Sequence, residues 1–372
     1  MKPTAILTLS TCACLLFTAC PKSMDDNAGP GPDICPEEML IYTSQNSTLN
    51  SDEVLHIIKS PDDRLYISTR ESLDRISTLD LQNLSFSTFS AINGYDRTTG
   101  RWVTDFHDNE ILLGAAGYNT LNGNENYGGG FLIVRDQELN VFNLDNSPIP
   151  SNYVSTVRWI DGRYWIGLGN NYPWSGGLVI YDGADWEIFN RDNSIMPVSS
   201  ISDVVQGPDG AKWLIVLGHG MVKIDNDNNW QLFDETSLFG EAAKGLTTIE
   251  VDQGNNVWLG TVTNGLLKFD GVSVKSYNID NSGIPSRLIN DIAIRNGNEV
   301  LVATAPYISE IDPFGSPVYA GGGFAIMREE NFEVFDKDNS NLPSNTVNSV
   351  ETGLGNQVWL ATSRGLVMAC VE

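Results

Sequence analysis

Histidine is scarce in this sequence. Three histidines, His56, His107 and His219, occur among 372 residues, so a histidine-based metal site or catalytic triad has little material to draw on. Basic residues are also few, since 22 Lys and Arg stand against 47 Asp and Glu, a formal net charge of -25. Nucleic acid or an anionic lipid surface would repel such a chain. We therefore expect no nucleic-acid partner, no metal and no cofactor.

The apolar run near the start, residues 5–17, is too short to span a bilayer as a helix. It follows Lys2 and ends in FTAC at 17–20, which resembles the lipobox of bacterial lipoproteins. We predict a lipoprotein signal peptide at 1–19 with Cys20 as the lipidated first residue; the alternative is an ordinary secretory signal cleaved after Ala19. Residues 20–37, rich in Pro, Gly and Asp, are expected to be a flexible tether. The expected location is the bacterial outer membrane, on its periplasmic or cell-surface side, with the lipid anchor as the only membrane contact.

A short apolar motif recurs along the rest of the chain at intervals of 43 to 58 residues. Its best copies are WIGL (165–168), WLGT (258–261) and WLAT (359–362). Turn sequences precede the copies, and a Gly-Leu pair with another apolar run follows the better ones. The seven equivalent positions are Tyr66, Leu112, Trp165, Trp213, Trp258, Leu301 and Trp359.

Four short strands per repeat at this period predict an all-β fold, a seven-bladed β-propeller over residues 38–372 with four antiparallel strands in each blade. A helical solenoid is excluded because no segment keeps a 3.6-residue apolar period over three turns. Each blade has two apolar faces, so it needs a neighbour on both sides, which a closed ring provides.

The repeats resemble the two-component regulator propeller family, whose pattern runs through a D-x-x-G turn, W-[IL]-G-T and G-[LI]-x-x-[FY]-[DN]. The resemblance is carried by DQGNNVWLGTVTNGLLKFDG (252–271), by DGRYWIGL (161–168) with GGLVIYDG (176–183), and by GNQVWLATSRGLVM (355–368). The resemblance implies a propeller outside the inner membrane that binds ligands such as glycans. The resemblance does not include a kinase module, so we expect only the binding role of that family in this chain.

The two chain ends are predicted to complete one blade. The seventh repeat stops after its third strand, and residues 38–43 align with the fourth strand of the third repeat. On this alignment Cys35 and Cys370 reach the same turn position. A disulfide between them suits an exported protein and would close the ring; two free thiols are the alternative.

The loop between second and third strands is expanded in repeats two, three and six, at 115–130, 169–177 and 304–323. We expect these insertions to form two walls of a cleft over the central opening, because such loops emerge on one face of a propeller. The alternative is that their aromatic residues only pack the loops onto the rim. The predicted ligand-binding residues are Tyr118, Asn119, Tyr127, Asn170, Asn171, Tyr172, Trp174, Tyr307, Glu310, Phe314 and Tyr319.

Three function classes follow from these features. We favour a non-catalytic binding lipoprotein whose partner is a small glycan, a peptide or an envelope protein. A structural component of an envelope or secretion assembly would need a broad apolar patch. A propeller lyase or glycosidase would need a paired acid and base, for which the loops offer Glu125, Glu310 and Asp312.

Overall fold

The computed structural model describes residues 35, 37–70, 76–89, 101–115, 118–119, 126–127, 129–136, 138–169, 176–198, 200–234 and 245–371. Over these ranges the chain forms seven four-stranded antiparallel sheets and two short hairpins. This is the predicted seven-bladed β-propeller. None of the described segments forms a helix of the length and hydropathy that crossing a membrane requires. The predicted signal peptide, Cys20 and nearly all of the tether lie outside the described residues.

The strands follow the chain around the ring, and each blade runs from an inner first strand to an outer fourth strand. Blade 1 contains β2 (Val54–Lys59), β3 (Arg64–Thr69), β4 (Ile76–Asp80) and β5 (Ser85–Phe89). Blade 2 contains β6 (Arg101–His107), β7 (Glu110–Ala115), β10 (Gly130–Arg135) and β11 (Glu138–Phe142), with β8 (Tyr118–Asn119) and β9 (Asn126–Tyr127) between β7 and β10. Blade 3 contains β12 (Val154–Ile160), β13 (Arg163–Leu168), β14 (Gly177–Tyr181) and β15 (Trp186–Phe189). Blade 4 contains β16 (Ile201–Gln206), β17 (Lys212–Val216), β18 (Gly220–Ile224) and β19 (Trp230–Asp234).

The remaining blades complete the ring. Blade 5 contains β20 (Leu246–Val251), β21 (Val257–Thr261), β22 (Leu266–Phe269) and β23 (Val274–Tyr277). Blade 6 contains β24 (Leu288–Arg295), β25 (Glu299–Ala305), β28 (Gly323–Arg328) and β29 (Asn331–Phe335), with the hairpin β26 (Tyr307–Ile311) and β27 (Pro317–Ala320) between β25 and β28. Blade 7 contains β30 (Val347–Thr352), β31 (Gln357–Thr362), β32 (Gly365–Cys370) and, as its outer strand, β1 (Leu40–Tyr42).

The core consists of apolar clusters between neighbouring blades, one cluster for each of the seven blade pairs. All seven recurrent motif positions lie in the second strand of their blades and are buried. Second strands read as continuous apolar runs because both of their faces are covered by adjacent blades, whereas an outer strand such as β11 alternates in exposure. The periodic sequence signal therefore came from the packing between blades.

The predicted closure of the ring is confirmed. Strand β1 pairs antiparallel with β32, with Leu40 opposite Met368 and Tyr42 opposite Leu366. The structure joins Cys35 and Cys370 by a disulfide, with 5.5 Å between their Cα atoms. The apolar cluster between blades 7 and 1 is as continuous as the other six. The strand from the N-terminal side thus restores the fourth strand that the seventh repeat lacks.

The Asp-Asn-Ser triplets, which could be mistaken for a binding code, build the turns between blades. In the turn from blade 3 to blade 4, the Asn193 Oδ1 accepts the amide of Asn190 at 2.8 Å and its Nδ2 donates to the carbonyl of Ile188 at 2.8 Å. The same pair of bonds recurs in four further turns, around Asn46, Asn146, Asn281 and Asn339. The triplets are therefore structural Asx turns.

Candidate functional site

Strand direction fixes which loops share a face of the ring. Because neighbouring strands in a blade are antiparallel, the turns after the second and fourth strands emerge on one face. This insertion face carries the turns between blades, and the strands β7, β13 and β25 end on it. The loop after β25 is described throughout and forms the β26–β27 hairpin.

The β26–β27 hairpin presents one apolar face to solvent. Ile308 pairs with Tyr319 and Ile311 with Pro317, and side chains of directly paired residues lie on the same side of a two-stranded sheet. Ile308, Ile311 and Tyr319 are 55%, 60% and 62% exposed, and Phe314 at the tip is 93% exposed. Within the described residues this is an uncovered apolar surface on a rigid scaffold, which commonly marks an interaction site.

The base of the hairpin is held between two inter-blade turns. The amide of Gly322 donates to the carbonyl of Pro285 at 3.1 Å, and a Cβ at Gly322 would stand 2.4 Å from the carbonyl oxygen of Asn345. Gly321 and Gly322 have φ values of 71° and 85°, which favour glycine. The paired glycines after the insertion therefore let the hairpin pass closely over both turns.

A groove of about 600 Å³ lies between this hairpin and blade 7. One wall is the part of the hairpin from Tyr319 to Gly321. The other wall is formed by two turns, the one from blade 6 to blade 7 and the tight β31–β32 turn. The groove is lined by Pro306, Tyr319, Ala320, Gly321, Lys337, Asp338, Pro343, Ser344, Asn345, Thr346, Ser363 and Arg364. It joins a flat aromatic side chain to several hydrogen-bonding groups, which is a common composition for a ligand site.

The polar groups of the groove differ in how far the protein satisfies them. The hydroxyls of Ser344 and Ser363 lie 2.7 Å apart and bond to each other. The Asn345 Oδ1 accepts the amide of Lys337 at 2.9 Å, and the Lys337 Nζ lies 3.8 Å from Asp338. The guanidinium of Arg364 makes no described contact with a carboxylate, a carbonyl or a ring.

The second concave region is the central channel, a cavity of about 400 Å³ lined by first strands from all seven blades. Five carboxylates occupy five of these strands, and Arg158 is the one arginine among the cavity's described lining residues. The carboxylates are Asp105, Asp203, Glu250, Asp291 and Glu351. His56 completes the set of ionisable groups.

Most channel charges hold neighbouring blades together. Asp105 accepts the amide of Trp159 at 2.7 Å, Asp291 accepts the amide of Val350 at 3.0 Å, and Glu351 accepts the amide of Lys59 at 3.2 Å. Each of these bonds crosses from one blade to the next.

Arg158 joins blades 2, 3 and 4. It donates to the carbonyls of Thr104 and Val204 and lies 3.2 Å from the carboxylate of Asp203. Glu250 has no comparable hydrogen bond among the described contacts.

Burial shifts the ionisation of the channel groups. It raises the pKa of Glu250 to about 8, with smaller contributions from nearby charges, and the pKa of Asp291 to about 6. The pKa values of Asp105 and Glu351 are also raised, mainly by burial. Burial and the positive charge of Arg158 lower the pKa of His56 to about 4, so this imidazole is neutral at pH 7.

The sequence-predicted site residues fall into three groups. Tyr307, Glu310, Phe314 and Tyr319 all lie on the β26–β27 hairpin, but only Tyr319 lines the groove. Tyr307 is half-buried at the hairpin base, with the Arg287 guanidinium 5.6 Å from its ring centre. The other members belong to the first and second insertions.

In the first insertion, the β8–β9 pairing places Tyr118 opposite Tyr127 and Asn119 opposite Asn126. Asn170, Asn171, Tyr172 and Trp174 lie outside the described residues, so the predicted two-walled cleft stays a prediction.

Sequence reasoning missed the blade 7 wall of the groove and the channel carboxylates. Arg364 follows a second strand whose loop has ordinary length, so a search for long loops passes over it. The channel did leave a signal, because Thr104-Asp105-Phe106, Ser202-Asp203-Val204 and Asn290-Asp291-Ile292 repeat one pattern in first strands. In each, the Asp follows a β-bulge and accepts the amide of the next residue at 2.8 to 2.9 Å.

The described residues contain no group of three or more His, Cys, Asp or Glu arranged to hold a metal ion. The acidic run Asp225, Asp227 and their asparagine neighbours forms the β18–β19 turn, in which Asp225 accepts the amides of Asp227 and Asn229. The carboxylate of Asp225 is therefore used in turn formation.

Comparison with known proteins gives one sequence relative. No protein-family model matches the chain. Histidine kinase P4 of Formosa agariphila is 22% identical over 248 residues, which cover 64% of this chain and 17% of the kinase. Membership of the two-component regulator propeller family therefore stays a prediction.

Several solved structures share the fold at low identity. The extracellular domain of the hybrid two-component system BT3049 from B. thetaiotaomicron has a TM-score of 0.64 and 16% identity, over 90% of this chain and 42% of that one. PorZ, a surface component of the type-IX secretion system of Porphyromonas gingivalis, has a TM-score of 0.64 and 14% identity, over 86% and 47%. Streptogramin B lyase has a TM-score of 0.62 and 13% identity, over 89% and 96%. At these identities the likeness shows the fold alone.

Proposed function

We propose that this chain is an exported, non-catalytic binding protein that recognises a saccharide in the groove between the β26–β27 hairpin and blade 7. The observation that carries the proposal is the pairing of an exposed aromatic wall, Tyr319, with a polar wall containing Asn345, Ser363 and Arg364. Sugar rings bury C–H surface against aromatic faces, and their hydroxyls bond to amides and guanidinium groups. The fixed hairpin base reduces the ordering cost of binding.

A binding role without catalysis fits the chemistry of the groove. Asp338 is the one carboxylate among its described lining residues, and it lies beside Lys337. Of the acids on the insertions, Glu125 lies outside the described residues and Glu310 is exposed on the hairpin outside the groove. Asp312 accepts the amides of Phe314 and Ser316 and so forms the tip turn. Hydrolysis or elimination on a sugar generally needs an acid and a base positioned together.

Export is supported by the Cys35–Cys370 disulfide, since such bonds persist in oxidising compartments. Similar structures are extracellular domains of two-component systems, which favours the same side of the membrane for this chain. We further propose that residues 1–19 direct export and that a lipid on Cys20 anchors the chain in the outer membrane. Cys20→Ala should move the protein from the membrane to the soluble fraction, and retention in the membrane would contradict the anchor.

The binding proposal is tested on an oligosaccharide array followed by calorimetry with the mature protein. Tyr319→Ala should weaken a hit by about tenfold or more, because it removes the aromatic wall. Phe314→Ala is the matched control: it removes an exposed aromatic from the same hairpin outside the groove and should leave saccharide affinity within twofold. Equal loss in both variants, or no loss at Tyr319, would contradict the site.

A second candidate function is docking to a protein of an envelope or secretion assembly. It is favoured by the exposed apolar side chains Ile308, Ile311 and Phe314, which extend beyond the groove and supply the patch that such a role needs. The fold shared with PorZ, a secretion-system component, is consistent with it. This role predicts the opposite order of effects for the two variants: Phe314→Ala, rather than Tyr319→Ala, should weaken binding of the partner protein.

A further inference from the structure

Arg364 differs from the other basic residues that the structure describes. The chain has 22 Lys and Arg against 47 Asp and Glu, so a basic side chain readily finds an acidic partner. Each of the other described Lys and Arg side chains either lies within 3.9 Å of a carboxylate or contacts an aromatic side chain. Arg364 has neither contact.

Arg364 lies in a tight turn at the edge of the groove. It occupies the two-residue turn between β31 and β32, where its amide donates to the Thr362 Oγ1 at 3.1 Å. Asp338, the carboxylate of the groove, lies 3.8 Å from the Lys337 Nζ. The turn thus holds an exposed guanidinium in the groove while the nearby acid has a different partner.

On the basis of the proposed saccharide function, we propose that the groove selects a saccharide bearing an acidic group, with Arg364 as the residue that binds that group. A carboxylate or a sulfate ester matches the two parallel N–H donors of a guanidinium. Tyr319 would cover the sugar ring, and Asn345 and Ser363 lie within the same groove for its hydroxyls.

The net charge of the protein limits how many acidic groups the ligand can carry. A charge of -25 repels a long polyanion, while screening over about 8 to 10 Å leaves a single close contact effective. The groove should therefore prefer a short oligosaccharide or a chain end with one acidic group over a densely charged polymer.

The test measures affinity for three matched sets of oligosaccharides: uronic acids, sulfated sugars and their neutral counterparts. Wild type should bind one acidic set at least tenfold more tightly than the neutral set, and Arg364→Gln should abolish that preference while binding neutral sugars as wild type does. Arg191→Gln, which removes an exposed arginine from another inter-blade turn, is the control for net charge and should keep the preference. Both variants should melt as wild type does.

The outcomes separate this inference from the function on which it rests. If acidic and neutral sugars bind equally in a Tyr319-dependent way, the role of Arg364 is wrong and the saccharide function survives. A preference retained in Arg364→Gln likewise overturns the role. If no sugar binds, or if only acidic peptides bind through Arg364, both the inference and the saccharide function are wrong.

Discussion

The central channel and the groove on the insertion face are both concave and both contain charged side chains, but they use those charges differently. In the channel, Asp105, Asp291 and Glu351 each accept an amide from the next blade, and Arg158 donates to three groups on two other blades. In the groove, Arg364 has no described partner. The channel charges stabilise the ring, and the groove charge remains available to a ligand. Most channel charges are used between blades, whereas the exposed guanidinium of the groove has no described partner, and this difference is why we place the proposed site in the groove.

The largest effect on stability is expected at Arg158. Arg158→Met should lower the free energy of unfolding by about 4 kcal/mol, because it removes the cationic partner of Asp203 and a donor to two carbonyls inside a confined acidic channel. Chemical denaturation measures the change. Arg163→Met on the same blade removes an exposed ion pair with Glu187 and should cost less than about 1 kcal/mol. Equal costs in the two variants would remove the distinction between channel and surface.

The next effect concerns the seam of the ring. Replacing Cys35 and Cys370 together by serine should lower the free energy of unfolding by about 3 kcal/mol, because the disulfide joins residues 335 positions apart. Thermal melting with and without reductant measures it. Reductant should lower the melting temperature of wild type and leave that of the double variant unchanged. A wild type with two free thiols in non-reduced peptide mass spectrometry would contradict the closure.

The third effect is a pH dependence of the free energy of unfolding, caused by ionisable groups in the channel. The folded-state pKa of Glu250 is about 8, above its ordinary value of 4.5, so the folded state binds more protons between these values, and stability falls as pH rises to about 8 and then levels off. His56 acts in the opposite sense, but only between about 4 and its ordinary value of 6.5. The range from pH 6.5 to 8.5 lies above the pKa of Asp291, about 6, and spans that of Glu250, so we expect a loss on the order of 1 kcal/mol that comes mainly from Glu250.

Glu250→Gln should flatten this pH dependence, as measured by thermal melting at pH 6.5 and 8.5. Glu310→Gln, which changes an exposed carboxylate on the hairpin, should retain it. A wild-type protein that is more stable at pH 8.5 than at pH 6.5 would contradict the raised pKa of Glu250.

The fold was predictable from sequence because the packing between blades repeats. The position that Trp258 occupies is buried between two blades in every copy of the motif. The same apolar pattern therefore returns in each blade and reveals both the repeat and the strand. Closure was predictable because the Asn46 turn carries the same Asn-Ser pair as the Asn193 turn, at the same distance after an outer strand. Each inference used features that many blades share.

The groove was not predictable in full because it depends on one blade pair. The expanded loop drew attention to Tyr319, but its partner wall comes from Arg364 in a turn of ordinary length. Whether a basic side chain has an acid beside it depends on contacts between segments distant in sequence. The acidic composition would lead one to expect such an acid, yet no carboxylate of the described residues contacts Arg364.

The smallest effect on stability is expected at the hairpin tip. Phe314→Ser should change the free energy of unfolding by less than about 0.5 kcal/mol, because the side chain is 93% exposed and covers little of the folded chain. Denaturant unfolding measures it. The same change should abolish much of the affinity for a protein partner if the hairpin docks one, since exposed aromatic residues often dominate such interfaces.

The unfolding and binding measurements together show whether the hairpin tip packs onto the propeller or docks a partner. Ile76→Ser is the matched control, because it introduces the same residue at a buried core position and should cost several times more stability. If Phe314→Ser destabilises the protein by more than about 1 kcal/mol, the tip packs onto the propeller in solution and is part of its architecture. If it leaves stability and every binding measurement unchanged, the exposed apolar face has no role in docking, and recognition on the insertion face is confined to the groove between Tyr319 and Arg364.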